Sequence, residues 1–343
     1  MKYPSILALV LLAACGDGNP FTTPDDDGGT DQSGPDESAL PPGTEEPASN
    51  RSIFRYEERN DQGGGYAEDI AYDSATDTFT VDNLAFDGEN TYDRGAAVAS
   101  LGPNDAYAVY DADVVVPDFV DGDPVGQIVP YRAIVGLSTN PAPGAGSDPR
   151  TTFAIVRTGG YVNYGFGGFV YERNGGVVLP RSGQALFEGD YAGMRVFDGR
   201  GGMELTEGDM TIEIDFVDPN DARGVKGRVI NRQAFEIDGT PVALGNDTDA
   251  GELPLPDIRF VLDGENGNLN DAGEAAGEVF STYVDVDGNL IDHENGSYYA
   301  ILAGDTTDAA DGGEIVGIMV LESDDRRFDG VTAQETGGFI LYR

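Results

Sequence analysis

The sequence predicts an all-β protein: a C-terminal eight-stranded antiparallel β-barrel preceded by a smaller β-rich, handle-like domain. Three observations carry that prediction. The 343 residues include 49 Gly and 19 Pro, about a fifth of the chain where roughly 12% is usual. After Arg51 the chain runs in short apolar stretches separated by Gly, Asp, Asn and Pro, with no helical apolar period of useful length. Eight strand-like stretches follow Pro180, and some of them alternate strictly between apolar and polar residues.

Residues 1–15 read as a lipoprotein signal peptide. Lys2 is a positive start, Ile6 to Ala14 form an apolar core, and small residues precede the only cysteine, Cys15. Leu12-Ala13-Ala14-Cys15 resembles the bacterial lipobox, in which the cysteine is acylated and becomes the new N-terminus. Several acyl chains on one residue anchor stably where a single chain does not. The next residue is Gly16 and not Asp, so the inner-membrane retention pattern is unmatched and the outer membrane is the expected location.

Residues 16–50 read as a disordered acidic tether, with nine acidic residues and no basic one. Phe21 and Leu40 are nearly its only large apolar residues, too few to offset the entropy of ordering. As a flexible coil it would reach about 30 Å.

Residues 51–180 form the handle-like domain. Its expected strands are Ser52 to Tyr56, Asp69 to Tyr72, Thr78 to Val81, Tyr107 to Val116, Tyr131 to Ser138, Thr152 to Arg157 and Tyr161 to Tyr171. The last two flank Thr158-Gly159-Gly160, which reads as a tight hairpin turn.

Residues 181–343 form the barrel, with strands expected at Ala185 to Val196, Met210 to Phe216, Gly224 to Phe235, Asp257 to Leu262, Ala276 to Val286, Gly296 to Gly304, Glu314 to Glu322 and Thr336 to Tyr342. Met210, Ile212, Ile214 and Phe216 share one face, and Thr211, Glu213 and Asp215 the other. Val225, Gly227 and Val229 are expected inside, opposite Lys226, Arg228 and Arg232. Ile315 to Leu321 and Phe339 to Tyr342 are apolar on both faces, so the first β domain is expected to cover their outer side. Closure into a barrel would leave no free edge and an interior filled by side chains.

The segment from Leu179 onward resembles the barrel domain of transferrin-binding-protein-like surface lipoproteins. Leu179-Pro180-Arg181-Ser182-Gly183 followed by Phe187-Glu188-Gly189 matches the family's Pro-x-Ser-Gly element and its aromatic-x-Gly strand. Asp215-Phe216, then Val225-Lys226-Gly227, matches its Asp-Phe and Val-x-Gly hairpin. Gly296-Ser297-Tyr298-Tyr299 with Glu314-Ile315-Val316-Gly317 resembles its closing strand pair. The resemblance implies a lipid-anchored protein at the outer membrane that binds a partner without catalysis, transferrin, haem and factor H being ligands of different members. This chain has one lobe where the transferrin binders have two, and its stretch between Gly304 and Glu314 is acidic, which points away from transferrin.

Charge and rare residues exclude other functions. With 20 basic against 62 acidic residues the net charge is −42, the wrong sign for a nucleic-acid partner. The charge coats the folded parts, −11 on residues 51–180 and −23 on residues 181–343. One His, one Cys and no Trp leave no His-based zinc site, no cysteine cluster and no disulfide.

The candidate ligand-binding residues are Tyr161, Tyr164 and Phe166, as an aromatic contact surface with core packing as the alternative, and His293, as a haem ligand in a turn with an ordinary surface position as the alternative. The oxygen-rich stretches Asp263 to Asp271 and Asp285 to Asn289 raise a calcium reading, although Asp, Asn and Gly are also what β-turns need. No cofactor, no metal site and no catalytic residue is expected, and the chain is expected to be monomeric. The function expected is capture of a macromolecule or nutrient by a surface-exposed lipoprotein. The alternatives are a structural or adhesive lipoprotein without a specific ligand, and a calcium-dependent carbohydrate-active enzyme.

Overall fold

A computed structural model describes residues 35, 39–82, 91–113, 115–117, 120–126, 129–144, 148–160, 163–216, 223–243, 246–247, 251–252, 254–261, 268–285 and 287–343. Residues from Gln32 to Arg343 form one compact unit.

The handle is a curled antiparallel sheet. Its strands are β1 (Ile53–Tyr56), β2 (Glu68–Asp73), β3 (Thr78–Asp82), β4 (Thr91–Arg94), β5 (Tyr107–Asp111), β6 (Arg132–Leu137), β7 (Thr151–Arg157) and β8 (Gly167–Arg173). They lie in the order β1-β8-β7-β6-β5-β4-β3-β2. The chain before β1 covers its outer edge: the Thr44 amide donates to the Phe54 carbonyl at 3.0 Å, and the Phe54 amide donates to Thr44 Oγ1 at 2.9 Å. An edge that would otherwise offer free backbone groups is thereby closed.

The barrel strands are β9 (Gln184–Asp198), β10 (Met203–Asp215), β11 (Gly224–Glu236), β12 (Ile258–Phe260), β13 (Glu274–Val284), β14 (Leu290–Asp305), β15 (Glu314–Asp324) and β16 (Thr332–Tyr342). Each pairs antiparallel with the next, and β16 pairs with β9, so the barrel is closed. All eight expected strands are present. A short parallel pair, Val177 and Val178 against Gly304 and Asp305, ties the linker to the end of β14.

The double-faced apolar strands explain how the two halves join. Ile315, Met319, Leu321, Phe339 and Leu341 point into the barrel core. Val316, Ile318 and Ile340 point outward and pack with Ile134, Phe153 and Ile155 of the handle. The Phe153 ring is seated by two glycines: a Cβ on Gly136 would lie 2.2 Å from it, and one on Gly338 2.3 Å from it. Any side chain at either place would force the Phe153 ring out of its seat. The opposite face of the handle sheet buries Phe79, Tyr92, Tyr110, Tyr131 and Val135 in a core of its own.

Polar clamps rim this joint. Arg55 reaches Glu274 with two hydrogen bonds, at 2.7 and 3.0 Å, both side chains buried. The Tyr107 hydroxyl donates to the Asp190 carbonyl at 2.6 Å and accepts from the Ile340 amide at 2.8 Å. Glu314 accepts from Ser138, Thr151 and Asn140.

Several expectations need correction. Arg232 points inward, because the register of β10 and β11 shifts at Glu207 and Asp209 and Asn231 adopts φ 55°. Such a bulge inverts the in-out alternation beyond it, and asparagine tolerates that backbone. Thr158-Gly159-Gly160 is no tight turn: the Thr158 amide donates to the Phe166 carbonyl, and β8 starts only at Gly167. Gly159 instead accepts a hydrogen bond from Gly202 of the barrel's first hairpin. The strand from Tyr107 ends at Asp111, and Val115–Pro117 pairs separately with Pro124–Gly126. Thr91–Arg94 is a strand that the pattern did not mark.

Candidate functional site

The barrel interior is filled, and its two ends are filled differently. One end is apolar, with Phe187, Ile212, Ile214, Val225, Leu302 and Leu341 buried together. There Phe260 stacks on Tyr298 at 4.1 Å between ring centroids.

The other end holds four arginines and four carboxylates. Glu204 receives Arg195 at 3.1 Å, Arg200 at 2.8 Å and Arg327 at 2.8 Å. Arg327 also holds Asp325 at 2.7 Å. Arg232 donates to both oxygens of Glu294, at 2.6 and 3.0 Å, and to Glu335 at 2.9 Å. Glu335 also accepts from Tyr191 at 2.7 Å and from Thr206 at 2.9 Å. Phe197 lies under Arg200, whose guanidinium is 3.6 Å from the ring centroid. Burial alone would raise the Glu294 carboxyl, but the Arg232 guanidinium overcomes it and holds the group at about 2. Burial followed by the charge of Glu335 pushes the Tyr191 hydroxyl well above its usual range. Carboxylates tied to guanidiniums in this way are poor proton acceptors and have no lone pair turned to a substrate.

The residues singled out in the sequence do not gather into one place. Cys15 and Tyr161 lie outside the described residues. Tyr164 is buried between the sheet and the barrel, its hydroxyl 2.9 Å from Thr332 Oγ1. Phe166 is half-buried, edge-on to Tyr66 at 5.1 Å. His293 lies on β14 and not in a turn, half-buried and edge-on to Tyr283 at 5.9 Å. Burial holds its imidazole below the usual value and so favours the neutral ring. The first calcium stretch falls mostly on residues 262–267, outside the described set. In the second, Asp285 accepts from the Asp287 and Asn289 amides and from the Asn289 side chain, which is turn chemistry. Among the described residues no group of three or more His, Cys, Asp or Glu is placed to hold a metal ion.

The described residues also form two surface clefts. The first, about 250 Å³, lies on the handle face turned away from the barrel, with Tyr72, Arg94, Asp105, Tyr110, Val135 and Leu137 among its lining residues. Arg94 makes a two-pronged contact with Asp77, at 2.8 and 3.0 Å, and its guanidinium sits 4.8 Å from the Tyr110 ring centroid. Tyr110 and Tyr72 donate to the same carboxylate at 2.8 and 3.1 Å. Arg94 and then Tyr110 hold Asp77 at about 2, so the cluster stays charged and fixed through ordinary pH. Leu137 is 39% exposed beside it. Arg94 and Leu137 are exposed and Tyr72 half-buried over the buried ring of Tyr110, so an arginine and a leucine on a rigid sheet form a contact surface of the kind that anchors partners. The sequence signal for it was faint, because Arg94 sits on the unrecognised strand Thr91–Arg94. The second cleft, about 370 Å³, lies on the barrel's outer wall, with Lys226, Arg228, Arg259 and Phe280 among its lining residues.

No protein family matches the sequence, and no curated protein does. Among solved structures the chain is similar to the vaccine antigen transferrin binding protein B of Haemophilus parasuis Hp5. A single-substitution form of it matches at 10% identity and TM-score 0.33, over 85% of this chain and 66% of that one. A double-substitution form matches at 11% identity and TM-score 0.32, over 86% and 60%. Intact Ap-TbpB, with its N and C lobes, matches at 10% identity and TM-score 0.30, also over 86% and 60%. The chain thus spans less than two thirds of each of these proteins.

Proposed function

We propose that the chain is a non-enzymatic binding protein, anchored through lipid on Cys15 to the outer membrane and exposed at the cell surface, which captures a macromolecule or nutrient ligand. The observation that carries this reading is the filling of the barrel. Its interior is occupied by packed apolar side chains at one end and by paired charges at the other, so recognition falls to the outside. The handle groove at Arg94, Tyr72 and Leu137 is the surface best built for it. With −42 overall, a partner is neutral or basic, or is bridged by cations.

Two experiments test this. Protease treatment of intact cells that make the protein should remove the domain from Arg51 onward while leaving periplasmic proteins whole, and protection of the domain would contradict surface display. The full chain used as bait at low and at marine salt should retain a partner whose binding falls at least tenfold in Leu137→Asp. No partner at either salt would favour a structural or adhesive lipoprotein instead.

A further inference from the structure

The outer wall of the barrel carries a second site that is independent of the handle groove. The handle packs mainly against β15 and β16, and the cleft lies on the outer faces of β11 and β12. There Lys226, Arg228 and Arg259 meet in one cleft, in a chain that has only two lysines and a net charge of −42.

The register makes this gathering costly. Arg228 of β11 stands directly opposite Arg259 of β12. Directly opposed residues in an antiparallel pair have Cβ atoms about 5 Å apart, and like charges there destabilise the sheet. On its other side Arg228 faces Thr211 and donates to its hydroxyl from Nε at 3.3 Å, so no carboxylate flanks it in either direction. Among the described residues Arg259 makes no hydrogen bond or ion pair. The acids of the cleft are Glu213 and Asp257. Glu213 stands 3.9 Å from Lys226 with both side chains largely exposed, a weak pairing.

Inside the barrel four arginines are matched to four carboxylates. Here in the cleft two guanidinium forks project from neighbouring strands, their outer N–H groups unclaimed among the described residues, beside the half-buried ring of Phe280. Paired forks of this kind match the oxygens of a carboxylate or phosphate, which accept bidentate hydrogen bonds. The acidic remainder of the molecule does not cancel this local field. The screening length is about 8 Å at physiological salt, so distant acids contribute little at the cleft.

We propose that this cleft binds a small organic oxyanion, its carboxylate or phosphate held between Arg228 and Arg259 and its apolar body laid against Phe280. Inorganic phosphate offers the anionic group alone, and phenyl phosphate offers it with an aromatic body, so the two probes separate the contributions.

Titration of the full chain by calorimetry, at constant ionic strength set with chloride, tests the proposal. Phenyl phosphate should bind at least tenfold more tightly than inorganic phosphate. Arg259→Gln and Arg228→Gln should each weaken phenyl phosphate at least tenfold, and Arg181→Gln, elsewhere on the surface, should leave it unchanged. The two cleft variants should melt at or above the wild-type temperature without ligand, because the substitution removes a like-charge opposition. Equal binding by wild type and Arg259→Gln, or no binding by either, would overturn the proposal. Capture of a partner by the handle is read separately, so failure here leaves that reading standing.

Discussion

The two ends of the barrel solve one packing problem with opposite chemistry. At the apolar end, Phe187, Ile212, Ile214 and Leu341 fill space without direction. At the charged end, four arginines and four carboxylates fill it with fixed geometry. The difference predicts how each end fails. Loss of apolar volume costs in proportion to the void left behind. Loss of one charge leaves its partners buried and unpaired, which costs more than the interaction that was removed.

Glu335→Ala is therefore the severest single change. It strips Arg232, Tyr191 and Thr206 of an acceptor at once. A loss of about 4 kcal/mol is expected by urea unfolding. If the loss were under about 1 kcal/mol, the charged end would not be the interlocked unit described. Leu341→Ala at the other end should cost about 3 kcal/mol and should be partly restored by a cavity-filling neighbour, which no single substitution does for Glu335.

The ends also differ in acid. Glu294 has a carboxyl depressed to about 2 against an unfolded value near 4.3. Its contribution to stability is full above pH 4.3 and drains away as pH falls toward 2, about 3 kcal/mol in all. Glu314, at the joint with the handle, is raised by burial. Its contribution runs the other way: it is present below the unfolded value and lost as pH rises through the raised one. Unfolding midpoints of wild type, Glu294→Gln and Glu314→Gln at pH 2.5, 4 and 7 would separate the two. Glu294→Gln should flatten the acid limb, and an unchanged limb would contradict the assignment. At the same joint, Tyr107→Phe leaves the Ile340 amide without its acceptor and should cost about 1–2 kcal/mol.

How much of this was legible in the sequence follows the same division. The apolar end could be read, because Met210, Ile212, Ile214 and Phe216 alternate without interruption, and the double-faced run Ile315 to Leu321 demanded a cover. The handle supplies that cover. The charged end could not be read in the same way, because the bulge at Asn231 reverses the alternation and turns Arg232 from an expected surface residue into a buried one. Nothing in the local pattern of Asn231-Arg232-Gln233 marks that reversal. Tyr164, open in the sequence to either a contact surface or core packing, takes the second. Its aromatic stretch fits a wet strand and a dry joint equally well, and only the approach of Gly202 to Gly159 decides for the joint. The groove at Arg94 depends on contacts with Asp77 across two strands, a pairing that no short-range motif encodes.

A sealed barrel with recognition on its outer surfaces makes one comparison decisive. Partner capture by the full chain should be measured side by side for two folded variants, Leu137→Asp on the handle groove and Thr206→Val inside the charged end. Retention of the partner by Thr206→Val with at least a tenfold loss in Leu137→Asp is the expected result. Loss in Thr206→Val with full capture by Leu137→Asp would place recognition inside the barrel and contradict the reading.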